Sequence, residues 1–171
     1  MRRILPIIAR AFLGLASAGL AGATAHAATV TATVSASPIK PLLLAKVQDL
    51  DLGSVTLGPG VWANATISLS RSGAFSCANA NVTCSGATLV AKYNVQGSNQ
   101  QTVHISAPNV TLTNQSDPTQ TLNLVTDAPA TLLLTNSGAP GIDFAIGGSV
   151  TLSSTTSGGT YVGTFNVTVD Y

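Results

Sequence analysis

Between Tyr161 and Tyr171 the chain changes character at every residue. Tyr161, Phe165, Val167, Val169 and Tyr171 share one phase, with Gly163 in the remaining place, while Thr160, Thr164, Asn166, Thr168 and Asp170 hold the other, where only Val162 is apolar. Successive side chains of an extended chain point to opposite faces, so this period of two sets one face on a core and the other in water. Eleven residues at about 3.3 Å each reach about 36 Å, well beyond the usual strand of about five or six residues. Such a strand, ending the sequence, either closes its own sheet or is paired by another molecule.

Shorter runs of the same kind precede it. Val61, Ala63, Ala65, Ile67 and Leu69 alternate with polar or small residues, as do Ala91, Tyr93 and Val95. Gly97-Ser98-Asn99 then turns the chain toward Val103 and Ile105. Val55–Leu57, Val110–Leu112, Leu122–Leu124, Thr131–Leu134, Ile142–Ile146 and Val150–Leu152 are further candidates. Gly58-Pro59-Gly60, Asp117-Pro118, Ala139-Pro140-Gly141, Gly147-Gly148 and Gly158-Gly159 punctuate them. The pattern predicts an all-β, antiparallel sandwich with Trp62, Ile67, Tyr93, Val103, Leu112, Phe144, Phe165 and Val167 turned inward. With 45% apolar residues the chain is too hydrophobic for disorder despite its low charge.

Residues 1–27 read as a signal peptide. Arg2 and Arg3 open it, Ala11 to Ala23 form a short apolar stretch, and Ala25-His26-Ala27 offers small residues for cleavage before Ala28. The stretch is too short to span a membrane, which takes about 20 residues, and no later segment qualifies. Without the leader, Lys40, Lys46, Arg71 and Lys92 stand against six aspartates and no glutamate, a net charge of −2. That balance argues against nucleic acid, whose binders carry basic patches. The expected location is outside the inner membrane: periplasm, cell surface or extracellular space. The remaining organisation is a segment and hinge over 28–41 and a sandwich domain over 42–171.

Cys77 and Cys84 are the only cysteines. An even count in an exported chain predicts a disulfide, here across the turn-like stretch Ala78–Thr83. Catalytic chemistry is sparse. The mature chain has one histidine, His104, inside an alternating stretch, where the polar face of a strand is its natural place. No nucleophile-elbow motif marks any serine, and no loop carries a calcium-ligand pattern. Asp49 and Asp51 read as solvated strand-edge acids that discourage aggregation. No enzyme activity, cofactor or metal is expected. Asn64, Asn81, Asn109, Asn114 and Asn166 begin Asn-X-Ser/Thr triplets, which a chain this rich in Asn, Ser and Thr produces by chance. Trp62, beside the Gly58–Gly60 turn, is a core or interface anchor, with stacking on a sugar as the alternative.

Asp49-Leu50-Asp51-Leu52-Gly53-Ser54-Val55, Val110-Thr111-Leu112-Thr113-Asn114, Ile146-Gly147-Gly148-Ser149-Val150-Thr151-Leu152 and Gly159-Thr160-Tyr161-Val162-Gly163-Thr164-Phe165 through Tyr171 occur in that order. Together they resemble a family of small secreted bacterial proteins known as a domain of unknown function. The closing strand is also similar to that of spore coat protein U and the archaic chaperone-usher pilins. The pilin resemblance implies an immunoglobulin-like sandwich lacking one strand, completed by a neighbouring subunit, with a periplasmic chaperone as a further partner. Gly158 matches a pilin glycine, whereas the pilin aromatic stands next to last and Tyr171 is last.

A candidate donor follows the leader: Val30, Ala32, Val34 and Ala36 alternate with Thr29, Thr31, Thr33 and Ser35, and Pro38 and Pro41 form a stiff hinge. The candidate acceptor is the strand of Tyr161, Gly163, Phe165, Val167, Val169 and Tyr171. The expectation is a cell-surface structural or fimbria-like subunit that self-associates, or joins related subunits, by strand addition. The alternative is a secreted monomer whose first strand completes its own sheet and which binds carbohydrate or another surface.

Overall fold

The computed structural model of the protein describes residues 27–171. Residues 1–26 of the expected leader, Ala25 among them, lie outside them; Ala27 and Ala28 are exposed and belong to no strand. Residues 27–36 contain no strand, with Val30 93% and Val34 94% exposed. Among the described residues all regular structure falls in 37–171, and it is entirely β. Every core side chain lies there too.

In chain order the strands are β1 (Leu43–Gln48), β2 (Ser54–Leu57), β3 (Ala65–Leu69), β4 (Phe75–Ser76), β5 (Val82–Ser85), β6 (Ala91–Gln96), β7 (Thr102–Ser106), β8 (Val110–Asn114), β9 (Thr121–Asp127), β10 (Thr131–Leu133), β11 (Ile142–Leu152), β12 (Tyr161–Val162) and β13 (Thr168–Asp170). All their pairings are antiparallel. The larger sheet runs β1-β6-β11-β9-β8-β12, with β3 and β4 attached to β11. Facing it are two separate pieces, the triplet β10-β7-β13 and the ribbon β2-β5. The layers enclose two apolar clusters. Tyr93, Val95, Val103, Ile105, Leu134, Phe144 and Ile146 lie under the triplet, and Ala65, Ile67, Val82, Leu124, Val150 and Leu152 lie under the ribbon. This is the expected antiparallel sandwich.

Three differences from the sequence reading have physical causes. Gly147-Gly148 does not divide two strands, because β11 runs straight through both. A Cβ at Gly147 would collide with the Leu69 carbonyl, and one at Gly148 would stand 2.9 Å from Leu124 Cδ1. The glycines allow neighbours to press close, as glycines inside strands do. The strand expected from Val61 begins only at Ala65: Val61 is fully exposed, and Asn64 takes a positive φ of 60°.

Tyr161 to Tyr171 keeps its period of two, with Tyr161, Phe165, Val167 and Val169 turned inward, yet it is hydrogen-bonded only at its ends. Its partner is the stretch β7 to β8, where Pro108 has no N–H to give. Beside Pro108, the Ala107 carbonyl accepts from Thr126 Oγ1, and Asn109 Oδ1 accepts from Thr126 N. That crossing is thus tied to β9, leaving residues 163–167 outside every ladder.

Of the expected core, Ile67, Tyr93, Val103 and Phe144 are buried, and Tyr93 stacks on Phe144 at 5.5 Å. Trp62, Leu112, Phe165 and Val167 are half-buried.

Candidate functional site

The half-buried residues point to the site. Between the ribbon and the C-terminal run lies a cleft of about 950 Å³. Leu112, Leu122, Leu124, Val150 and Leu152, from the larger sheet, form its floor. One wall is the stretch Asp49–Val55 with Leu57, and the other is Thr156–Phe165. Each wall is a strand with one unused edge. β2 pairs with β5 alone, and β12 with β8 alone. Residues 163–167 also take part in none of the main-chain bonds made outside the ladders. The C-terminal run crosses from β12, the last strand of the larger sheet, to β13, the outer strand of the triplet, and the cleft lies between this crossing run and β2. An apolar floor between two unused main-chain edges is the geometry that receives an extended chain.

The C-terminal wall is carefully fixed. Asn114 is 1% exposed, the only buried polar residue among the described residues. Its Nδ2 donates to Gly158 O at 3.0 Å, while its Oδ1 accepts from Ser116 N at 2.9 Å. Gly159, at φ 144°, lies so close that a Cβ there would come within 2.5 Å of the Asn114 amide. Asn114 is therefore the pin between the β8–β9 turn and the start of the wall, and a side chain so engaged cannot accept a glycan. Tyr161 donates its hydroxyl to Ser157 O at 2.8 Å. At Gly163 a Cβ would lie 2.8 Å from both Leu112 Cδ2 and Thr111 O, so only glycine lets the wall approach the floor.

The predicted acceptor residues divide into two groups. Tyr161, Gly163 and Phe165 line the cleft, and Phe165 touches both apolar clusters. Val167 and Val169 instead pack into the closed cluster. Tyr171 ends the run at the far side, donating to Lys40 O at 2.6 Å and accepting from Ser98 N at 2.8 Å. The candidate donors Val30, Ala32, Val34 and Ala36 are exposed and in no strand. The ribbon wall and the floor were not recognised from sequence as parts of a site; the alternation at Val55–Leu57, Val110–Leu112 and Leu122–Leu124 marked them only as strands.

Cys77 and Cys84 are bonded, with Cα atoms 6.3 Å apart, and both pack against the cluster under the ribbon. Trp62 donates its indole N–H to Gly58 O at 3.1 Å and packs on the same cluster, the anchor role expected of it. Asp49 and Asp51 are exposed between β1 and β2, Asp49 directly after β1 and Asp51 in an isolated bridge to Leu89. Asp49 pairs with Lys46 at 2.7 Å, and Asp51 Oδ1 accepts from Gly53 N. The ion pair holds the Lys46 ammonium in its charged form, its pKa raised first by the Asp49 hydrogen bond and then by its charge. His104 is exposed on β7, the polar strand face expected of it. Among the described residues no group of His, Cys, Asp and Glu is placed to hold a metal ion. No described helix is long and apolar enough to cross a membrane, which with the disulfide is compatible with export.

The chain belongs to a family described as a domain of unknown function (DUF4402), which matches residues 42–171. This agrees with the first resemblance drawn from the sequence; the likeness to spore coat protein U and the archaic pilins rests on the closing strand alone. No curated protein and no solved structure matches the chain.

Proposed function

We propose that this protein is an exported structural subunit that joins copies of itself by strand addition, in the manner of a fimbria. Val30–Ala36 of one copy enters the cleft of the next and lies between β2 and the C-terminal run. The observation that carries this reading is the cleft itself, an apolar floor between two strands, β2 and β12, that each pair on one side only. One added strand would join the ribbon and the C-terminal run.

The occupant is argued from its own chemistry. The segment alternates apolar and hydroxyl residues, carries no charged side chain, and leaves Val30 and Val34 in water. It is an alternating segment that belongs to no sheet, and the cleft has room for a strand of that pattern. Main-chain hydrogen bonds supply affinity, and the alternating side chains set register, since a slip of one residue would turn Thr toward the floor. Head-to-tail donation does not close on itself, so the product is an open chain.

The test uses protein lacking residues 28–37, a deletion that removes no core side chain. This form should stay soluble and take up a synthetic peptide of the deleted sequence, while protein beginning at Ala28 polymerises. Protein beginning at Ala28 that remains monomeric at high concentration overturns the mechanism and favours the self-closed monomer.

A further inference from the structure

The two walls of the cleft differ in how they are held. The C-terminal wall is hydrogen-bonded to β8 and β7, pinned by Asn114 and anchored by Tyr171. The ribbon wall has less: beyond packing, only the Trp62 indole, which donates to Gly58 O, reaches its end from outside. Among the described residues, its main-chain bonds run only within itself: the β2–β5 ladder, the exchange between Asp51 and Leu89, and Gly58 N to Asn81 O. A two-stranded ribbon is marginal alone, so this one depends on what ties it down.

One tie is covalent. Cys84 sits in β5, directly across the ladder from Val55, which lines the cleft. Cys77 follows immediately after β4, which is paired to β3 in the larger sheet. The bridge therefore fastens this weakly tied wall to the sheet that carries the floor.

We infer that the Cys77–Cys84 bridge is a redox gate on the cleft, confining strand addition to the oxidised protein. This rests on the strand-addition reading above. Oxidation joins the two sulfurs as the thiols lose two electrons and two protons to a disulfide-bearing oxidant, which leaves as its dithiol. With the bridge closed, β2 presents its free edge at the cleft. With the bridge open, the ribbon is held only by side-chain packing and the Trp62 indole bond to Gly58 O, and the cleft loses one of its two edges for part of the time. Apparent affinity falls by the fraction of time the wall is in place. A subunit would thus become competent to assemble only in a compartment where its thiols are oxidised.

The experiment compares protein beginning at Ala28 in three states: oxidised, reduced with a phosphine, and Cys77→Ser/Cys84→Ser. Assembly is followed by sedimentation and local opening by amide hydrogen exchange. The expected result is that opening the bridge raises the concentration needed for assembly about tenfold or more. Exchange should quicken in β2 and β5 while β6 and β11 stay protected. If the three states assemble alike, the gate is overturned and strand addition stands. If opening the bridge releases protection throughout both clusters, the bridge holds the whole fold and the gate is again overturned. Oxidised protein that neither assembles nor, without residues 28–37, takes up the deleted peptide overturns strand addition and the gate with it.

Discussion

The two halves of this sandwich share one long strand and end differently. The first half of β11 lies under the triplet β10-β7-β13, where Tyr93, Val95, Val103, Phe144 and Ile146 are shut away from water. Its second half lies under a ribbon of four residue pairs, and there the floor residues Leu112 and Leu122 remain partly in solvent beside a cleft of about 950 Å³. Both floors are apolar and both come from the same sheet. The difference lies in the covering layer: the chain supplies enough strands to close one half and leaves a gap over the other. Stability is therefore expected to reside in the closed half and recognition in the open one.

The largest expected effect tests that division with two phenylalanines. Phe144 is buried and stacked on Tyr93 in the closed half, so Phe144→Ala should cost about 3–5 kcal/mol, the usual range for emptying a buried aromatic site. Phe165 is half-buried at the edge of the cleft, so Phe165→Ala should cost only about 1–2 kcal/mol while the cleft is empty. Urea denaturation with and without the 28–37 peptide reads both, and the cost at Phe165 should grow when the cleft is filled. Equal costs in the empty protein would mean that the two halves are equally closed.

A smaller loss, of about 1–3 kcal/mol, is expected for Asn114→Ala, which strands the Gly158 carbonyl and the Ser116 amide. Its signature should be local. Hydrogen exchange should rise over the β8–β9 turn and residues 156–160, with β6 and the first half of β11 unchanged. Exchange rising equally in both halves would mean that they open as one unit.

The closed half was the more legible in sequence, for a physical reason. Its strands are buried on one face, so Ala91-Tyr93-Val95 and Val103-Ile105 print a period of two onto the chain. β1 escaped notice because Leu43 and Val47 point outward and break the alternation. β4 escaped because two residues are too short to show a period, and β5 because Val82 and Thr83 read as part of the turn between the cysteines. The C-terminal run announced its two faces but not its interruption, which depends on Pro108 between β7 and β8 and on Thr126 in β9. The bridge and the anchoring of Trp62 could be read locally. The cleft could not, since a gap belongs to no residue: it is defined by which edges β2 and the C-terminal run leave unused.

The smallest expected effects separate the halves by pH. In the open half, Asp117 accepts from Thr119 Oγ1 at 2.6 Å and from Thr119 N at 3.1 Å, and these bonds hold its carboxyl below the ordinary aspartate range. A lowered folded-state pKa gives stability that is present above the unfolded value of about 3.9 and is lost as pH falls through the folded value. In the closed half, burial first of all raises the Tyr93 phenol above its ordinary pKa. Its contribution is present below the unfolded value of about 10 and is lost as pH rises through the folded value. Acid should therefore loosen the β8–β9 turn before it disturbs the closed cluster, while alkali should weaken the closed cluster first. Exchange measured at moderate acid and alkaline pH checks the order, and Asp117→Asn should remove only the acid limb. If both limbs vanish in that variant, the two halves titrate as one cooperative body.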